Sequence, residues 1–154
     1  MRRVSNCILR DQDQVLMLRK PSRGWWVAPG GKMETRESVK ESAVREYKEE
    51  TGIDLHAPTL RGVFTVVIEE DGETVDEWML FTFYAENYSG TLLEQSPEGH
   101  LEWQRQENIK NLPMAPGDHY FFDHILNHEG LIYGTFVYSR EYRLLSYQLD
   151  PEKE

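Results

Sequence analysis

Three glutamates that lie close together in the chain, Glu46, Glu49 and Glu50, are candidates for metal-assisted chemistry. At about 100° per residue they share an arc of roughly 100° on a helix, over the same sector as the apolar Val39 and Ala43. The arc therefore borders or enters the buried side, where crowded like charges cost free energy unless a cation offsets them. Carboxylates without thiols or clustered imidazoles favour a hard, oxygen-loving ion, Mg²⁺ or Mn²⁺.

The helix that must carry these acids has clear ends in the sequence. Ser38 is followed three residues later by Glu41, which is typical of a capping box and makes Ser38 the expected N-cap. Gly52 is expected to end the helix directly after Thr51. Taken alone, this helix is equally compatible with a solvated, glutamate-rich face. The spacing of the residues around it favours the functional interpretation.

The stretch GGKMETRESVKESAVREYKEETGI, from Gly30 to Ile53, resembles the Nudix box throughout. Every fixed glycine, acid and arginine of that pattern is present, and Tyr47 stands where the family usually has an aliphatic residue. So many fixed positions make the signal strong, unlike a lone glycine-rich triplet. The resemblance implies a hydrolase that cleaves a pyrophosphate bond in a nucleoside diphosphate derivative. It also implies an α/β fold (α+β by some schemes), an α/β/α sandwich in which the box helix packs on a central mixed β-sheet.

The resemblance also implies a metal site and a catalytic set. The expected metal ligands are the carbonyl of Gly31 and the carboxylates of Glu46, Glu49, Glu50 and Glu98. The expected ion is Mg²⁺, with Mn²⁺ as an alternative, and it would screen the phosphate and lower the pKa of a bound water. A glutamate that the metal does not saturate would take the proton from that water, and Glu50 and Glu98 are both candidates. Arg45 pairs with Glu37 or Glu49 and would fix the orientation of the acids.

Glu98 enters this set because many Nudix enzymes place a further glutamate in a loop ahead of a late strand. The segment Glu98-Gly99 before Leu101-Glu102-Trp103 resembles that placement. An ordinary exposed loop acid is the alternative interpretation, and Glu102 is the second candidate for the role.

Two basic residues near the glycine pair are candidates for holding phosphate. Lys32 follows Gly30-Gly31, where the backbone can approach a ligand closely, although a simple turn fits the same residues. Arg23 belongs to a basic loop that leads to the glycines. The alternative for that loop is a solvated segment with one tryptophan, Trp25, in the core.

Segments beyond the box are similar to the MutT-like group, which acts on purine nucleoside triphosphates, including oxidised ones. These segments are WVAPGGK, LEW, PMAPGDH and the terminal pair GTFVY and LLSYQLD. Asp118 occupies the place of an acid that meets the purine edge in that group. Ala115 stands where some relatives have a stacking aromatic, and Gly117 where they have a second acid.

The implied function is a pyrophosphohydrolase acting on a guanine or other purine nucleotide, which releases a monophosphate and pyrophosphate from a triphosphate. Guanosine polyphosphate alarmones are an alternative substrate, because they also offer a purine and a pyrophosphate. A non-catalytic nucleotide sensor is the alternative from another class. The intact acids argue against it, because a sensor needs no activated water.

Composition limits the partners. The net charge is −10, with 27 acids against 17 lysines and arginines, so a long polynucleotide would be repelled. RNA decapping is disfavoured for the same reason. The sequence shows no apolar run long enough for a membrane span and no signal-peptide pattern, and Cys7 is its single cysteine. We therefore expect one domain over 1–154, a cytoplasmic location, and a monomer or homodimer.

The remaining elements follow from apolar patterning and turn residues. The expected strands pair in an opening hairpin, a long central hairpin with Asp71-Gly72 at its turn, and a closing hairpin. We expect a loop from Glu86 to Gly99, a helix from an N-cap at Asp118 to about Asn127, and a charged tail from Asp150 to Glu154. The expected strands are Val4–Leu9, Val15–Leu18, Leu60–Glu69, Thr74–Tyr84, Leu101–Gln104, Leu131–Tyr138 and Arg143–Leu149.

Overall fold

A computed structural model describes residues 1–152 of the chain, so the last two residues of the expected tail lie outside the described residues. Within 1–152 there are eleven strands, two α-helices and one 3-10 helix. The strands are β1 (Arg2–Asp11), β2 (Gln14–Arg19), β3 (Trp26–Val27), β4 (Gly30–Lys32), β5 (Ile53–His56), β6 (Thr59–Glu70), β7 (Glu73–Ala85), β8 (Asn87–Gly90), β9 (His100–Arg105), β10 (Ile132–Tyr138) and β11 (Leu144–Asp150). The helices are α1 (Val39–Thr51), the 3-10 helix (Gln106–Asn111) and α2 (Pro116–Asn127).

Nine of the described strands form one mixed sheet in the order β11-β10-β6-β7-β1-β2-β3, with β4 paired to β1 and β9 paired to β2. The β1–β7 and β10–β6 pairs are parallel, and the other pairs in this sheet are antiparallel. Strands β5 and β8 form a separate antiparallel pair. The predicted central mixed sheet is confirmed.

The two α-helices cover opposite faces of this sheet. Successive side chains of a strand point to opposite faces. On β1, Cys7 and Leu9 are buried in one cluster with Tyr47 of α1. Ile8 between them is buried in a second cluster with Phe121 of α2. The predicted α/β/α sandwich is therefore confirmed, and no helix of the described chain is long and apolar enough to cross a membrane.

The ends of α1 are those the sequence predicts. Ser38 accepts a hydrogen bond from the backbone N–H of Glu41, whose side chain accepts in return from the N–H of Ser38. Gly52 ends the helix at φ 81°, a left-handed conformation that suits glycine. Asp71 and Gly72 form the turn between β6 and β7 with φ values of 53° and 78°, as their residue types predict.

The structure corrects the predicted loop from Glu86 to Gly99. Its first part, Asn87–Gly90, is strand β8 and pairs with β5, which the sequence analysis did not predict either. Asparagine and glycine are depleted in strands, so β8 has a weak local signal and depends on its partner. The glycine pair is likewise more than a turn, because Gly30–Lys32 is a short strand paired antiparallel with β1.

The predicted N-cap of the last helix is wrong. Helix α2 begins at Pro116 with Ala115 as its N-cap, and Asp118 lies within the first turn. Proline suits the first helical position because its ring presets φ and its missing N–H would have no partner there. The N–H of Gly117 donates instead to the hydroxyl of Tyr138 at 2.8 Å. A side chain on β10 thus replaces a local cap.

Candidate active site

Helix α1 packs against β1 and β4, and this packing brings its acids to the glycine pair. The hydroxyl of Ser5 on β1 donates to that of Ser42 on α1 at 2.8 Å within the buried interface. A Cβ atom on Gly31 would lie 2.3 Å from Oε2 of Glu46. The glycine therefore leaves the space in which the Glu46 carboxylate lies.

Glu50 is the buried acid of the site, with 5% of its surface exposed. Its Oε1 accepts a hydrogen bond from the backbone N–H of Gly30 at 3.2 Å. A Cβ atom on Gly30 would lie 2.1 Å from the carbonyl oxygen of Ser5, so only glycine fits between β1 and the acid. The glycine pair is thus required by close packing on two sides.

Burial raises the pKa of Glu50 to about 7, because an ionised carboxylate loses solvation there. The nearby ammonium of Lys20 and the N–H of Gly30 lower the pKa in part, whereas the charges of Glu46 and Glu98 raise it. A carboxyl group with a pKa near neutrality can accept and return a proton at physiological pH.

Arg45 joins the other acids through one guanidinium. Its Nε and Nη2 donate to the two oxygens of Glu37 at 2.5 and 2.9 Å, a bidentate pair. Its Nη1 donates to Glu46 at 2.9 Å and to Glu49 at 3.2 Å. Nη2 also donates to the carbonyl of Lys32 at 3.1 Å. Both predicted partners, Glu37 and Glu49, are therefore in contact with Arg45.

The ionised form of Glu37 is strongly favoured. The hydrogen bonds from Arg45, together with the N–H of Glu34, lower the pKa of Glu37 to about 2. The same pair, led by Glu37, raises the pKa of Arg45. This arginine therefore stays charged and holds the acidic edge of α1 in one arrangement.

Glu46, Glu49 and Glu50 differ in exposure. The side chain of Glu49 is 56% exposed and that of Glu46 is 17% exposed, whereas Glu50 is buried. Within residues 1–152, no three acidic, histidine or cysteine side chains converge in a geometry ready to hold a metal ion. Arg45 holds Glu46 and Glu49 on one side, and the amide of Gly30 holds Glu50 on the other.

The donor chemistry nevertheless fits a divalent cation. The candidate ligands are the carboxylates of α1 and the main-chain carbonyl of Gly31, and oxygen donors of this kind are the ligands that Mg²⁺ and Mn²⁺ prefer. Their negative charge is concentrated and only partly balanced by Arg45, so an ion with two positive charges would be attracted. The residues that would hold it are Gly31, Glu46, Glu49 and Glu50, together with Glu98 of the turn before β9.

Glu98 lies beside this group, in the turn before β9. Its Oε2 is 3.5 Å from the Nζ of Lys20 at the end of β2. The charges of both residues act on Glu50, so the structure brings the predicted loop acid into the electrostatic neighbourhood of the helix acids. Glu102, the second candidate, lies 3.4 Å from His100 on β9 and 2.5 Å from the amide nitrogen of Gln104.

The two candidate phosphate-binding residues are placed differently. Lys32 directly follows Gly31, and its side chain is exposed. Arg23 lies between two aromatic rings, with its Cζ 5.1 Å from the centroid of Trp25 and 4.8 Å from that of Tyr142. These contacts hold Arg23 against the turn between β10 and β11 rather than against the acids. The buried tryptophan is Trp26, whereas the predicted Trp25 is only partly buried.

Asp118 lies in the first turn of α2. Burial raises the pKa of Asp118 to about 7. The carboxyl group of Asp118 also affects the nearby Tyr138. The pKa of the Tyr138 phenol is raised by burial and, to a smaller extent, by the charge of Asp118. Asp118 is thus carried by a different element from the metal-binding candidates of α1.

The sequence does not predict a role for Lys20 or the Ser5–Ser42 contact, and it predicts the close backbone approach at Gly30 without the hydrogen bond to Glu50. Lys20 lies in the same basic loop as Arg23, and nothing local distinguishes one cation from the other. The distinguishing feature is the pairing of β2 with β9, which brings Arg19 opposite His100. That pairing joins residues far apart in the chain, so no local pattern reports it.

The mixed sheet, the glycine pair and the acids of α1 together define a class of hydrolase that acts on phosphoric anhydride bonds. The family model described as the NUDIX domain matches residues 1–125. The chain belongs to the Nudix family, and the predicted resemblance is confirmed. It is an enzyme of that hydrolase class, and Nudix hydrolases use divalent metal ions.

Two relatives identified by sequence show how far the similarity extends. An uncharacterized Nudix hydrolase of Bacillus subtilis, YvcI, is 53% identical over 152 residues, which cover 99% of this chain and 96% of the relative. The 8-oxo-dGDP phosphatase NUDT18 of Danio rerio is 36% identical over 115 residues. That match covers 69% of this chain but only 33% of the larger protein.

Solved structures agree with the fold. The crystal structure of a mutator MutT protein from Bacillus halodurans superimposes with a TM-score of 0.97 at 56% identity, covering 99% of this chain and all of that one. A MutT Nudix hydrolase from Burkholderia pseudomallei gives a TM-score of 0.66 at 25% identity, covering 80% of this chain and 97% of its own. Sheet order and helix placement are therefore those of MutT structures.

Proposed function

We propose that this chain is a Mg²⁺-dependent pyrophosphohydrolase that acts on a guanine nucleoside triphosphate, including its 8-oxo form, and releases the monophosphate and pyrophosphate. The observation that carries the proposal is the position of Glu50, buried beside Glu46 at the glycine pair. Glutamates gathered at low dielectric next to a main-chain carbonyl suit an ion that binds phosphate oxygens.

The substrate class is supported by the names of relatives and by a second polar site. NUDT18 proteins are named 8-oxo-dGDP phosphatases, a Mycobacterium tuberculosis relative is named a putative 8-oxo-dGTP diphosphatase, and the Bacillus halodurans protein is named MutT. Asp118 provides a carboxyl group that is partly protonated near neutral pH. Such a group can donate to or accept from a purine edge, which carries both kinds of partner. We propose it as the residue that meets the base.

Each residue of the site then has a defined task. When bound, Mg²⁺ would polarise the phosphate and lower the pKa of a water molecule. Glu50, whose pKa lies near 7, is the proposed general base, and Glu98 is the alternative. Arg45 keeps Glu46 and Glu49 oriented through its fork of N–H donors. Lys32 is proposed on the phosphate side.

Substitution of the acids tests this assignment. Glu49→Gln and Glu50→Gln should each lower kcat by two or more orders of magnitude, because the first removes a proposed ligand of the ion and the second removes the proposed general base. Circular dichroism should report an unchanged fold for both variants. Lys110→Met, on the 3-10 helix, is the control for a surface charge change. Near wild-type kcat in both glutamine variants would rule out the mechanism.

A substrate panel tests the specificity. Canonical and oxidised triphosphates, guanosine polyphosphates, dinucleotides and ADP-ribose are compared by kcat/KM, first with Mg²⁺ and then with Mn²⁺. We expect 8-oxo-dGTP or dGTP to give the highest value, and Asp118→Ala to reduce the preference for guanine over pyrimidine triphosphates. A best value for guanosine polyphosphates would replace the proposed substrate. A flat profile below about 10³ M⁻¹s⁻¹, under the usual range of enzymes, would favour a sensor instead.

A further inference from the structure

The turn before β9 is built to present Glu98 in one place. The hydroxyl of Ser96 accepts a hydrogen bond from the N–H of Glu98 at 3.1 Å, and the carbonyl of Ser96 accepts from the N–H of Gly99 at 3.4 Å. Ser96 is itself buried, with 4% of its surface exposed. The backbone that carries Glu98 is therefore fixed by its own neighbours rather than free in a long loop.

The same turn is held against the end of β2. A Cβ atom on Gly99 would lie 2.1 Å from the carbonyl oxygen of Arg19, so the two backbones touch and only glycine fits. The next residue, His100, pairs with Arg19 across the β2–β9 ladder. Lys20 directly follows Arg19, which makes Lys20 and Glu98 fixed neighbours at adjoining strand ends.

This pair is accessible and weak as an ion pair. The Nζ of Lys20 is 3.5 Å from Oε2 of Glu98, and their side chains are 34% and 52% exposed. Both line an open cleft of about 490 Å³ between the residues that follow β2 and the turn before β9. An exposed pair of this kind contributes little to stability, roughly 0–1 kcal/mol. A divalent cation entering the cleft could therefore displace the ammonium easily.

We propose that the ammonium of Lys20 competes with the divalent ion for the carboxylate of Glu98. The ammonium contacts this carboxylate in the ion-free protein and must move away from it when the ion binds. The inference rests on the proposed metal site and adds a residue that opposes its filling. Glu46 and Glu49, two other proposed ligands, also contact a positively charged side chain, that of Arg45. The remaining side-chain ligand, Glu50, is buried. Lys20 differs from Arg45 because it contacts the acid of the turn rather than the acids of α1.

The competition has a measurable direction. The ammonium of Lys20 neutralises the Glu98 carboxylate and thereby weakens it as a ligand, so removing that ammonium should tighten divalent binding although it removes a contact. A purely structural role predicts the reverse, since loss of a positioning contact loosens Glu98. Two charges at such a separation in partly screened surroundings change affinity by about three- to tenfold.

The test is the dissociation constant of Mn²⁺, measured by electron paramagnetic resonance of the free ion without any nucleotide. The proteins are the wild type, Lys20→Met, Glu98→Gln and the double variant. We expect Lys20→Met to tighten binding about three- to tenfold and Glu98→Gln to weaken it. In the Glu98→Gln background, Lys20→Met should change the constant by less than about twofold. Lys110→Met removes the same charge from the 3-10 helix and should stay within about twofold of wild type.

The outcomes separate this inference from the proposed function. Unchanged or weaker binding in Lys20→Met, or equal tightening in both backgrounds, would overturn the role of Lys20 while leaving the metal site in place. Failure of the wild type to bind Mn²⁺ would overturn the proposed function and the inference with it. Lys20→Gln, which also removes the charge, replaces Lys20→Met if circular dichroism shows that the methionine variant does not fold.

Discussion

Gly31 has no side chain, and the carboxylate of Glu46 lies in the space that a side chain would fill. The place of its Cβ lies 2.3 Å from a carboxylate oxygen of Glu46. Gly31→Ala should therefore push Glu46 away from the main chain and lower kcat at least tenfold, with weaker Mn²⁺ binding. Gly72→Ala is the contrasting variant, because nothing lies within 4 Å of its Cβ position but its φ is 78°. It should lower stability by about 1 kcal/mol and leave kcat unchanged.

Measuring kcat and urea unfolding for both glycine variants separates an effect on catalysis from an effect on stability. If Gly31→Ala lost stability like Gly72→Ala but kept full activity, the close approach to Glu46 would have no catalytic meaning. The pattern we expect is a loss of activity in one variant and a loss of stability in the other.

Arg45 is the residue where geometry matters beyond charge. Its planar fork binds Glu37 at both oxygens and still reaches Glu46 and Glu49. Arg45→Lys keeps the charge but replaces the fork by a single ammonium, which cannot hold three carboxylates in these positions. We expect kcat to fall about 10- to 100-fold, with KM changed less than threefold and a stability loss of about 1–2 kcal/mol. Activity of Arg45→Lys within twofold of wild type would mean that the positive charge alone is sufficient.

At the scale of elements, the sequence predicts what local patterns encode. The capping box and Gly52 define α1, and Asp71-Gly72 defines the central hairpin, because each is decided by residues within a few positions. Strand β8 depends on a partner elsewhere, since it pairs with β5. The start of α2 has a local signal in Pro116 at the first helical position and also a distant partner, Tyr138, whose hydroxyl accepts from the N–H of Gly117. Long-range contacts of this kind leave no local pattern.

The site divides in the same way. The identities of Glu46, Glu49 and Glu50 follow from spacing, and so does the pairing of Arg45 within its own helix. The contact between Lys20 and Glu98 does not, because it depends on β2 pairing with β9. The position of Arg23 against Tyr142 could not be predicted either, since these two residues are far apart in the chain. The catalytic roles of all these residues stay predictions.

The first turn of α2 should make stability depend on pH through Asp118. Its pKa is raised to about 7 in the folded protein, against about 3.9 in an unfolded chain. Between these values the folded state binds more protons than the unfolded state. The Asp118 contribution to stability therefore falls as pH rises from about 4 to about 7, and its size is at most about 4 kcal/mol.

Asp118→Asn removes this titration while keeping the shape of the side chain. Urea unfolding of both proteins at pH 5 and pH 8 isolates the effect, since Glu50 and other groups titrate alike in each. We expect the asparagine variant to lose less stability than wild type between the two pH values. Parallel stability curves for the two proteins would show that Asp118 has an ordinary pKa.

Across the whole molecule, the acidic residues that the proposed function needs for binding a cation also destabilise the folded state. A net charge of −10 repels polyanions and also strains the compact state through self-repulsion. The prediction that 1–154 is one domain, the cytoplasmic location and the choice between monomer and homodimer stay predictions. Because the protein is strongly acidic, a divalent cation bound at α1 should raise the free energy of unfolding of the whole fold.

Thermal unfolding with and without Mg²⁺ measures that stabilisation. An ion at about ten times its dissociation constant adds about 1.4 kcal/mol of stability. For a chain of 154 residues this corresponds to a rise in Tm of about 4 °C. Because any salt relieves self-repulsion in an acidic protein, NaCl at the same ionic strength is the required control. The rise beyond NaCl should disappear when the ion is removed with a chelator and should be absent in a Glu46→Gln/Glu50→Gln variant. An equal rise in that variant would place the stabilising ion elsewhere on the acidic surface, since the two carboxylates at the glycine pair would then contribute nothing to its binding.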